Sequence, residues 1–547
     1  MKKPPLSLLA LLLSLAFVPA AVAQPKSRFE VVVPASLHSA AITGRAYVIL
    51  SRSPGSNLLD DFGSLDPFFG QDMTQVAPGQ PTIINAASAG YPLQSLRDLP
   101  PGDYSVQAFV NVYTRFPRAD GHVIWAHMDH WEGQQFNHSP GNLYSNVERV
   151  HLDPAHGFTI RLAVSHVIPP VVMPPDTAWV KHIRMKSPLL SKFWGHPIYI
   201  GATVLLPAGY QQHPRQYYPV IYEQGHFNLA PPLSMRMHPG APGSWQRRRY
   251  RTFQAWSGPH FPRMIAVTFQ HPTPYFDDSY AVNSPNNGPY GDALMHELIP
   301  YIETHFRIIR QPWARVLTGG STGGWESLAL QLYHPNFFGG TFTGFPDPID
   351  FHHYQLTDIY KDKNAFVPPG SPNEERGATR SPDGQVLETQ RQESEFELAL
   401  GDHDRSGQQL DAWDSVFDPV GSDGYPVPLW NRTTGKINHS VADYMRSHGY
   451  DLDAYLAKNW SRIGPQLTGK IFIWVGDMDS FYLNLAVYDM NDFFRKHPEA
   501  HARFTYGRPE KAHGWTPWTE PQLIRMMARH VAKAAPAGTD VNSWYRP

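Results

Sequence analysis

Residues 315–333 of this chain read Arg-Val-Leu-Thr-Gly-Gly-Ser-Thr-Gly-Gly-Trp-Glu-Ser-Leu-Ala-Leu-Gln-Leu-Tyr. An apolar run comes first, a turn of small residues surrounds Ser321, and a helical run follows. Small residues permit the strained backbone that lifts a serine out of a strand-to-helix turn, and they let the strand and helix approach closely. The stretch therefore predicts a nucleophile elbow with Ser321 as the nucleophile.

The sequence around this elbow alternates between apolar strands and helical runs. Such alternation is typical of a mostly parallel sheet with helices on both faces, and together with the elbow it predicts a doubly wound α/β-hydrolase fold. Helices are predicted over 292–306 and from 519 onwards. The predicted strands are 198–206, 220–223, 264–269, 315–318, 340–344, 470–475 and 503–506.

The remaining segments predict the domain organisation. Residues 24–168 carry alternating β-branched and aromatic runs between turns, which predicts an N-terminal β-sandwich domain. The proline-rich stretch 169–176 predicts a stiff linker. The α/β-hydrolase catalytic domain then occupies 177–547, and the long polar segment 352–467 between two of its strands predicts an inserted cap or lid.

The N-terminus and the composition bear on location and partners. Residues 1–23 combine two lysines, an apolar run and Ala-Val-Ala, the pattern of a cleaved bacterial signal peptide. We therefore expect an exported protein, periplasmic or secreted, with no membrane span. A net charge of -2 disfavours nucleic acid as a partner, and the absence of cysteine excludes disulfides and thiolate chemistry. The oligomeric state is left open.

Candidates for the acid and the base follow the serine in the order that this fold requires. The predicted strand 470–475 leads to Asp477 and Asp479, of which Asp479 is the preferred triad acid and Asp477 the alternative. Asp347 and Asp350, after the strand that follows Ser321, are weaker candidates for a displaced acid. His513 comes after the last strand and before the last helix, where the base is expected.

An oxyanion hole needs two backbone N–H groups. One belongs to the residue after the nucleophile, Thr322, and the other to the turn after the strand 220–223, at His226 or Phe227. We expect no cofactor and no metal, although three sets of residues contain metal-ligand types. They are the histidines around 122–138, the histidine pair 352–353, and the oxygen-rich segment 277–287.

Short motifs follow one another in a fixed order over residues 176–534, excluding the inserted segment 352–467. They are 218–222 with Gly225, Gly291-Asp292 with 297–300, 319–324, 334–335 with 338–339, Gly476 with Asp479 and Phe481, and 513–515. This order resembles the putative-esterase family, which includes esterase D, feruloyl and acetylxylan esterases, enterochelin esterases and mycobacterial mycolyltransferases. The resemblance implies Ser321, Asp479 and His513 as the catalytic triad. Thr322 departs from the methionine that commonly follows the serine, and the long insertion is also unusual.

These residues together predict a serine carboxylic-ester hydrolase that works through an acyl-enzyme. The predicted substrate is a small-molecule or carbohydrate-linked ester, with Trp325, Phe481 and Trp515 as possible contacts. Two alternatives stay open. One is peptidase or acyltransferase action by the same triad, and the other is a catalytically inert protein that binds carbohydrate or serves as a scaffold.

Overall fold

The computed structural model describes residues 26–545 except 56, 61 and 63–65. The predicted signal segment 1–23 lies outside the described residues. Within the described part of the chain, no helix is long and apolar enough to cross a membrane.

An eight-stranded sheet forms the centre of the C-terminal part. Its first three strands pair antiparallel and the remaining pairs are parallel, so the predicted mostly parallel sheet is confirmed. In spatial order the strands are Val180–Lys186, Tyr199–Leu205, Ile265–Gln270, Val220–Gln224, Arg315–Gly320, Gly340–Gly344, Ile471–Gly476 and Arg503–Gly507. Sequence reasoning missed only the first, an edge strand whose lysine, histidine and arginine side chains mask its apolar positions.

Alternate residues of the strand Ile471–Gly476 face two separate cores. Ile471, Ile473 and Val475 pack into one hydrophobic cluster, and Phe472 and Trp474 into the other. Helices cover both faces, as the sequence predicted. Thr322–Tyr333, Leu452–Leu467 and Asn484–Arg495 contribute to the first cluster, and Glu520–Ala534 and Trp245–Trp256 to the second.

Two predicted helices show how local chemistry sets helix boundaries. The helix Glu520–Ala534 begins where the sequence indicated, and Gln522 Oε1 accepts a hydrogen bond from the Thr519 N–H at 2.8 Å. The helix predicted over 292–306 instead forms three pieces, Tyr290–Ala293, a π-helical turn Leu294–Leu298, and Ile299–His305. Pro300 has no N–H to donate to the preceding turn, so regular α-helical bonding is interrupted there.

The strands before residue 168 form two sheets. Side chains of both sheets, among them Phe29 and Ile84 from one and Val48 and Val110 from the other, share one hydrophobic cluster. The smaller sheet has the order Thr159–Ala163, Arg28–Val32, Pro81–Asn85. The larger sheet contains His166–Val167, Leu143–Tyr144, Gly102–Pro117, Ile42–Ser51, Phe68–Val76, Ala89–Tyr91, Val123–His127 and Glu148–Leu152. Residues 169–176, where the sequence predicts the linker, have no regular secondary structure.

The segment 352–467 contacts both the N-terminal part and the C-terminal part of the chain. It contains the hairpin Gly377–Arg380 and Val386–Thr389 and the helices Gln390–Leu400, Gln409–Phe417, His439–His448 and Leu452–Leu467. Arg45 of the N-terminal part donates a hydrogen bond to the Ala399 carbonyl at 2.9 Å, and Arg405 donates to the Trp125 carbonyl at 2.9 Å. The last helix of the segment packs on the helix Thr322–Tyr333, so this end of the segment belongs to the layer that covers the sheet.

Candidate active site

Ser321 occupies the strained turn that the sequence predicts. It lies between the strand Arg315–Gly320 and the helix Thr322–Tyr333, with φ 58° and ψ -126°. A Cβ atom at Gly323 would lie 2.1 Å from the carbonyl oxygen of Gln224. Glycine is therefore required at 323, because the elbow presses directly on the end of the neighbouring strand.

Asp479 and His513 are joined by a hydrogen bond. His513 Nδ1 donates to Asp479 Oδ2 at 2.8 Å, and the Asp479 side chain is fully buried. Asp479 Oδ1 in turn accepts from the Phe481 N–H at 3.0 Å. The imidazole also lies edge-to-face between the rings of Phe345 and Phe481, at 4.8 and 4.9 Å. Carboxylate and rings together fix the orientation of the imidazole.

Asp477 has a different position. Its Oδ1 accepts a hydrogen bond from the Lys511 N–H at 3.0 Å, two residues before His513. The Asp477 carboxylate therefore shapes the loop that carries His513, and the structure brings Asp479, the preferred acid of the sequence analysis, to the imidazole.

The Ser321 hydroxyl contacts a second carboxylate. Ser321 Oγ donates to Asp347 Oδ1 at 3.2 Å, while Asp347 Oδ2 accepts from the Tyr280 hydroxyl at 2.6 Å and from Thr322 Oγ1 at 2.9 Å. Burial raises the pKa of Asp347, whereas the hydrogen bonds from Tyr280 and Thr322 act to lower it. Among the described residues no hydrogen bond joins Ser321 to His513.

Residues on two sides contact the turn after the strand Val220–Gln224. Phe227 packs edge-to-face on Trp131 of the N-terminal part, with ring centroids 5.3 Å apart. A Cβ at Gly133 would come within 2.6 Å of the Phe227 ring, so glycine is needed for this close approach. Thr322 is the first residue of its helix, where an N–H has no acceptor within the helix. Its N–H therefore needs an acceptor from outside the helix.

His226 forms an ion pair on the other side of this turn. Its Nδ1 lies 3.0 Å from Asp277 Oδ1 and 3.2 Å from Asp278 Oδ2. Desolvation alone would lower the pKa of His226, but the two carboxylates outweigh it and raise the pKa. Burial raises the pKa of Asp277 to about 7, although His226 opposes this shift.

Two groups of described residues have ligand atoms close enough to hold a metal ion. They are His226 with Asp277 and Asp278, and Asp350 with His352 and Asp451, and within each group the ligand atoms lie within 4.8 Å of one another. Hydrogen bonds already engage both groups, since His226 donates to Asp277 and Asp451 accepts from the Tyr360 hydroxyl at 2.7 Å.

The three aromatic residues considered for substrate contact have different environments. Phe481 borders His513, and Trp515 covers Gly507, where a Cβ would come within 2.5 Å of the indole. Trp325 is fully buried, with its ring against Tyr280 at 5.5 Å and Phe417 at 5.2 Å. The interpretation of Trp325 as a substrate contact is therefore wrong, because packing within the core removes it from the surface.

Comparison with known proteins adds the following similarities. The sequence profile of a family described as putative esterase matches residues 198–530. A ferulic acid esterase structure is 15% identical, with 65% of this chain and 99% of that chain covered and a TM-score of 0.38.

Two further solved structures are similar over a comparable share of this chain. The fluorophosphonate-binding serine hydrolase F of Staphylococcus aureus is 11% identical, with coverages of 64% and 98% and a TM-score of 0.32. An S-formylglutathione hydrolase from Agrobacterium tumefaciens is 13% identical, with coverages of 66% and 98% and a TM-score of 0.32. The comparison with curated proteins gives no match.

Proposed function

Because the chain belongs to the putative-esterase family, and is an esterase on that basis, we propose that it hydrolyses carboxylic esters through an acyl-enzyme formed on Ser321. The observation that carries this proposal is the 2.8 Å hydrogen bond from His513 to the buried Asp479, in a site whose serine occupies a nucleophile elbow. A carboxylate that orients an imidazole is the arrangement that lets the imidazole accept a serine proton.

The reaction then follows from the roles of these groups. The Ser321 hydroxyl turns from Asp347 towards His513, which accepts its proton as Oγ attacks the ester carbonyl. The Thr322 N–H and an N–H of the turn at His226 or Phe227 stabilise the oxyanion. His513 returns the proton to the leaving alcohol as the carbon–oxygen bond breaks. Water, deprotonated by His513, attacks the acyl-enzyme. His513 then returns this proton to Ser321 Oγ as the bond between Oγ and the acyl carbon breaks and the acid leaves.

A serine variant tests the proposal directly. We expect Ser321→Ala to lose nearly all hydrolysis of p-nitrophenyl acetate and all labelling by a fluorophosphonate probe. The matched control is Ser447→Ala, which removes an exposed hydroxyl from another helix and should keep both. Hydrolysis by Ser321→Ala at the rate of the parent would overturn the assignment. Product analysis with peptide and alcohol acceptors separates hydrolysis from peptidase or acyltransferase action, and stoichiometric labelling excludes an inert scaffold.

The proposal extends to location and domain organisation. The signal pattern in residues 1–23 supports export with cleavage before Gln24. Two sheets that share one core support a β-sandwich domain over 24–168. Mass spectrometry of the exported protein should give a mature chain that begins near Gln24, and a chain that keeps residues 1–23 would contradict it.

A further inference from the structure

One stretch of the chain has a charge very different from that of the whole protein. Residues 224–276 contain neither aspartate nor glutamate, although acidic residues outnumber lysine and arginine in the full sequence. Five arginines fall within 236–251, and four of these lie on the helix Trp245–Trp256. The net charge of the chain therefore conceals a region that is strongly positive.

The helix Glu520–Ala534 extends this positive region. It contacts Trp245–Trp256 and covers the same face of the eight-stranded sheet. Its sheet-facing residues are buried, whereas Arg525 and Arg529, one turn apart, are exposed. The Arg525 guanidinium lies 4.6 Å from the ring centroid of Phe261, in the loop after Trp245–Trp256. We define the basic face as Arg236, Arg247, Arg248, Arg249, Arg251, Arg525 and Arg529.

The positive charge of the basic face is not neutralised within the protein. Among the described residues, none of its arginines forms an ion pair or donates a side-chain hydrogen bond. The acidic groups whose charge acts on Arg249 are Glu520 and Glu223. Burial raises the pKa of Glu520 to about 8, so this carboxyl is mostly uncharged at pH 7. Glu223 already accepts hydrogen bonds from the Thr268 hydroxyl at 2.6 Å and the Leu233 N–H at 2.8 Å.

An exposed indole lies among these arginines. Trp245 is 46% exposed, and the guanidinium groups of Arg249 and Arg236 lie 4.5 and 5.5 Å from its ring centroid. Stacking of this kind holds a guanidinium beside the ring and leaves its N–H groups free to bind anions. Tryptophan and arginine also occur together on helices that lie at the headgroup level of membranes.

The position of the arginines favours a flat anionic partner. Arg248, Arg251, Arg525 and Arg529 are exposed on the outer sides of two packed helices. Strands of nucleic acid bind instead in positively charged grooves that follow their backbone. A bilayer presents many phosphates in one plane, which allows both helices to contact it at once, and it offers an interfacial layer in which an indole is stable.

We propose that the basic face binds the surface of a membrane rich in anionic lipids. Trp245 enters the headgroup layer, and the arginines contact the lipid phosphates. This proposal concerns where the protein acts, and it does not depend on the esterase mechanism.

Vesicle sedimentation of the exported protein tests the proposal. Vesicles of phosphatidylcholine alone are compared with vesicles that contain equal amounts of phosphatidylcholine and phosphatidylglycerol. We expect the partition coefficient to be at least tenfold higher for the anionic vesicles. Raising NaCl from about 0.1 M to about 1 M shortens the Debye length from about 10 Å to about 3 Å and should remove most of this difference. Equal partition into both kinds of vesicle at the lower salt concentration would overturn the proposal.

Charge-removing variants locate the binding surface. Each arginine near an anionic surface strengthens binding by about fivefold, so Arg248→Gln/Arg251→Gln should lower the partition coefficient for anionic vesicles at least tenfold. The control is Arg97→Gln/Arg161→Gln, which removes the same charge from exposed positions of the N-terminal part and should stay within twofold of the parent. Melting temperatures verify that both variants are folded. A value within twofold of the parent for Arg248→Gln/Arg251→Gln would contradict the assigned surface.

Heparin distinguishes a lipid surface from a soluble polyanion, because it carries anionic groups but has no interfacial layer for an indole. Trp245→Gln should lower the partition coefficient for anionic vesicles at least threefold and keep the affinity for heparin within twofold of the parent. Equal losses for vesicles and heparin, or binding to heparin without binding to anionic vesicles, would rule out a lipid surface as the partner.

Discussion

Ser321 Oγ donates its hydrogen bond to Asp347 Oδ1 at 3.2 Å, so the elbow serine contacts a carboxylate that is separate from the Asp479–His513 pair. Asp347 also accepts hydrogen bonds from the hydroxyl groups of Tyr280 and Thr322. Three hydroxyl donors converge on one buried carboxylate, so this shared acceptor couples the serine to Tyr280.

A change at Tyr280 tests this coupling. Tyr280→Phe removes a donor from Asp347 and the acceptor used by Trp413 Nε1 at 2.6 Å. With one donor fewer, Asp347 should bind the Ser321 hydroxyl more strongly and hold it away from His513. We expect the free energy of unfolding to fall by about 1–3 kcal/mol and kcat to fall while KM stays near the parent value. Denaturant unfolding and steady-state kinetics measure the two effects.

The control for this variant is Tyr333→Phe. Its buried hydroxyl donates to the Gly449 carbonyl at 2.7 Å, remote from the contacts of Ser321. It should lose stability by a similar amount and keep its kcat. An equal loss of kcat in both variants would show that destabilisation alone accounts for the effect of Tyr280→Phe.

The two carboxylates near His513 are expected to differ in their effect on catalysis. Asp479→Asn removes the acceptor of His513 Nδ1 and favours the wrong imidazole tautomer, so kcat should fall by about 10⁴. Asp477→Asn affects only the bond to the Lys511 N–H and should cost far less. Kinetics with p-nitrophenyl acetate separate the two, and a larger loss for Asp477→Asn would reverse the assignment of the acid.

Gly133 is expected to influence catalysis although it lies outside the C-terminal part that contains Ser321. Gly133→Ala places a Cβ within 2.6 Å of Phe227 and should displace the turn that we propose as the source of an oxyanion donor. We expect kcat to fall by about 10²-fold, close to the loss of one oxyanion donor. Gly141→Ala is the matched control, because φ is also positive there, at 90°, and no atom lies within 4 Å of the added Cβ. Equal kcat values for the two variants would contradict this role.

The buried histidine His271 predicts how stability depends on pH. Burial lowers its pKa to about 4, and its Nδ1 accepts from the Ser279 N–H at 3.0 Å. Unfolded His271 takes up a proton below its ordinary pKa of about 6.5, whereas the folded side chain does so only near 4. Its contribution to stability is therefore present above pH 6.5 and is lost as the pH falls towards 4.

A substitution isolates this contribution. In His271→Asn the amide oxygen can replace Nδ1 as acceptor, and the side chain at position 271 no longer titrates. Between pH 7 and pH 4 the parent should lose up to about 3 kcal/mol more unfolding free energy than the variant. Chemical denaturation across this pH range checks the difference, and parallel curves for the two proteins would refute it.

Local patterns in the sequence predicted most of the sheet and singled out three residues of the candidate site. The strands can be recognised in the sequence as apolar runs. The elbow can be recognised because small residues surround Ser321 between a strand and a helix. Asp479 and His513 were identified by their order after predicted strands. Val180–Lys186 was missed because an edge strand buries few side chains, and Trp325 was misinterpreted because burial depends on packing partners far along the chain.

The sequence by itself determined that Ser321 occupies an elbow, because the glycines that permit its strained backbone are its immediate neighbours. Only the tertiary structure decided that its hydroxyl contacts Asp347 and that Phe227 packs on Gly133. Strand and turn signals arise from short-range periodicity and backbone strain. Contacts between side chains that are distant in the chain leave no such periodic signal, because they are set by how the folded layers pack.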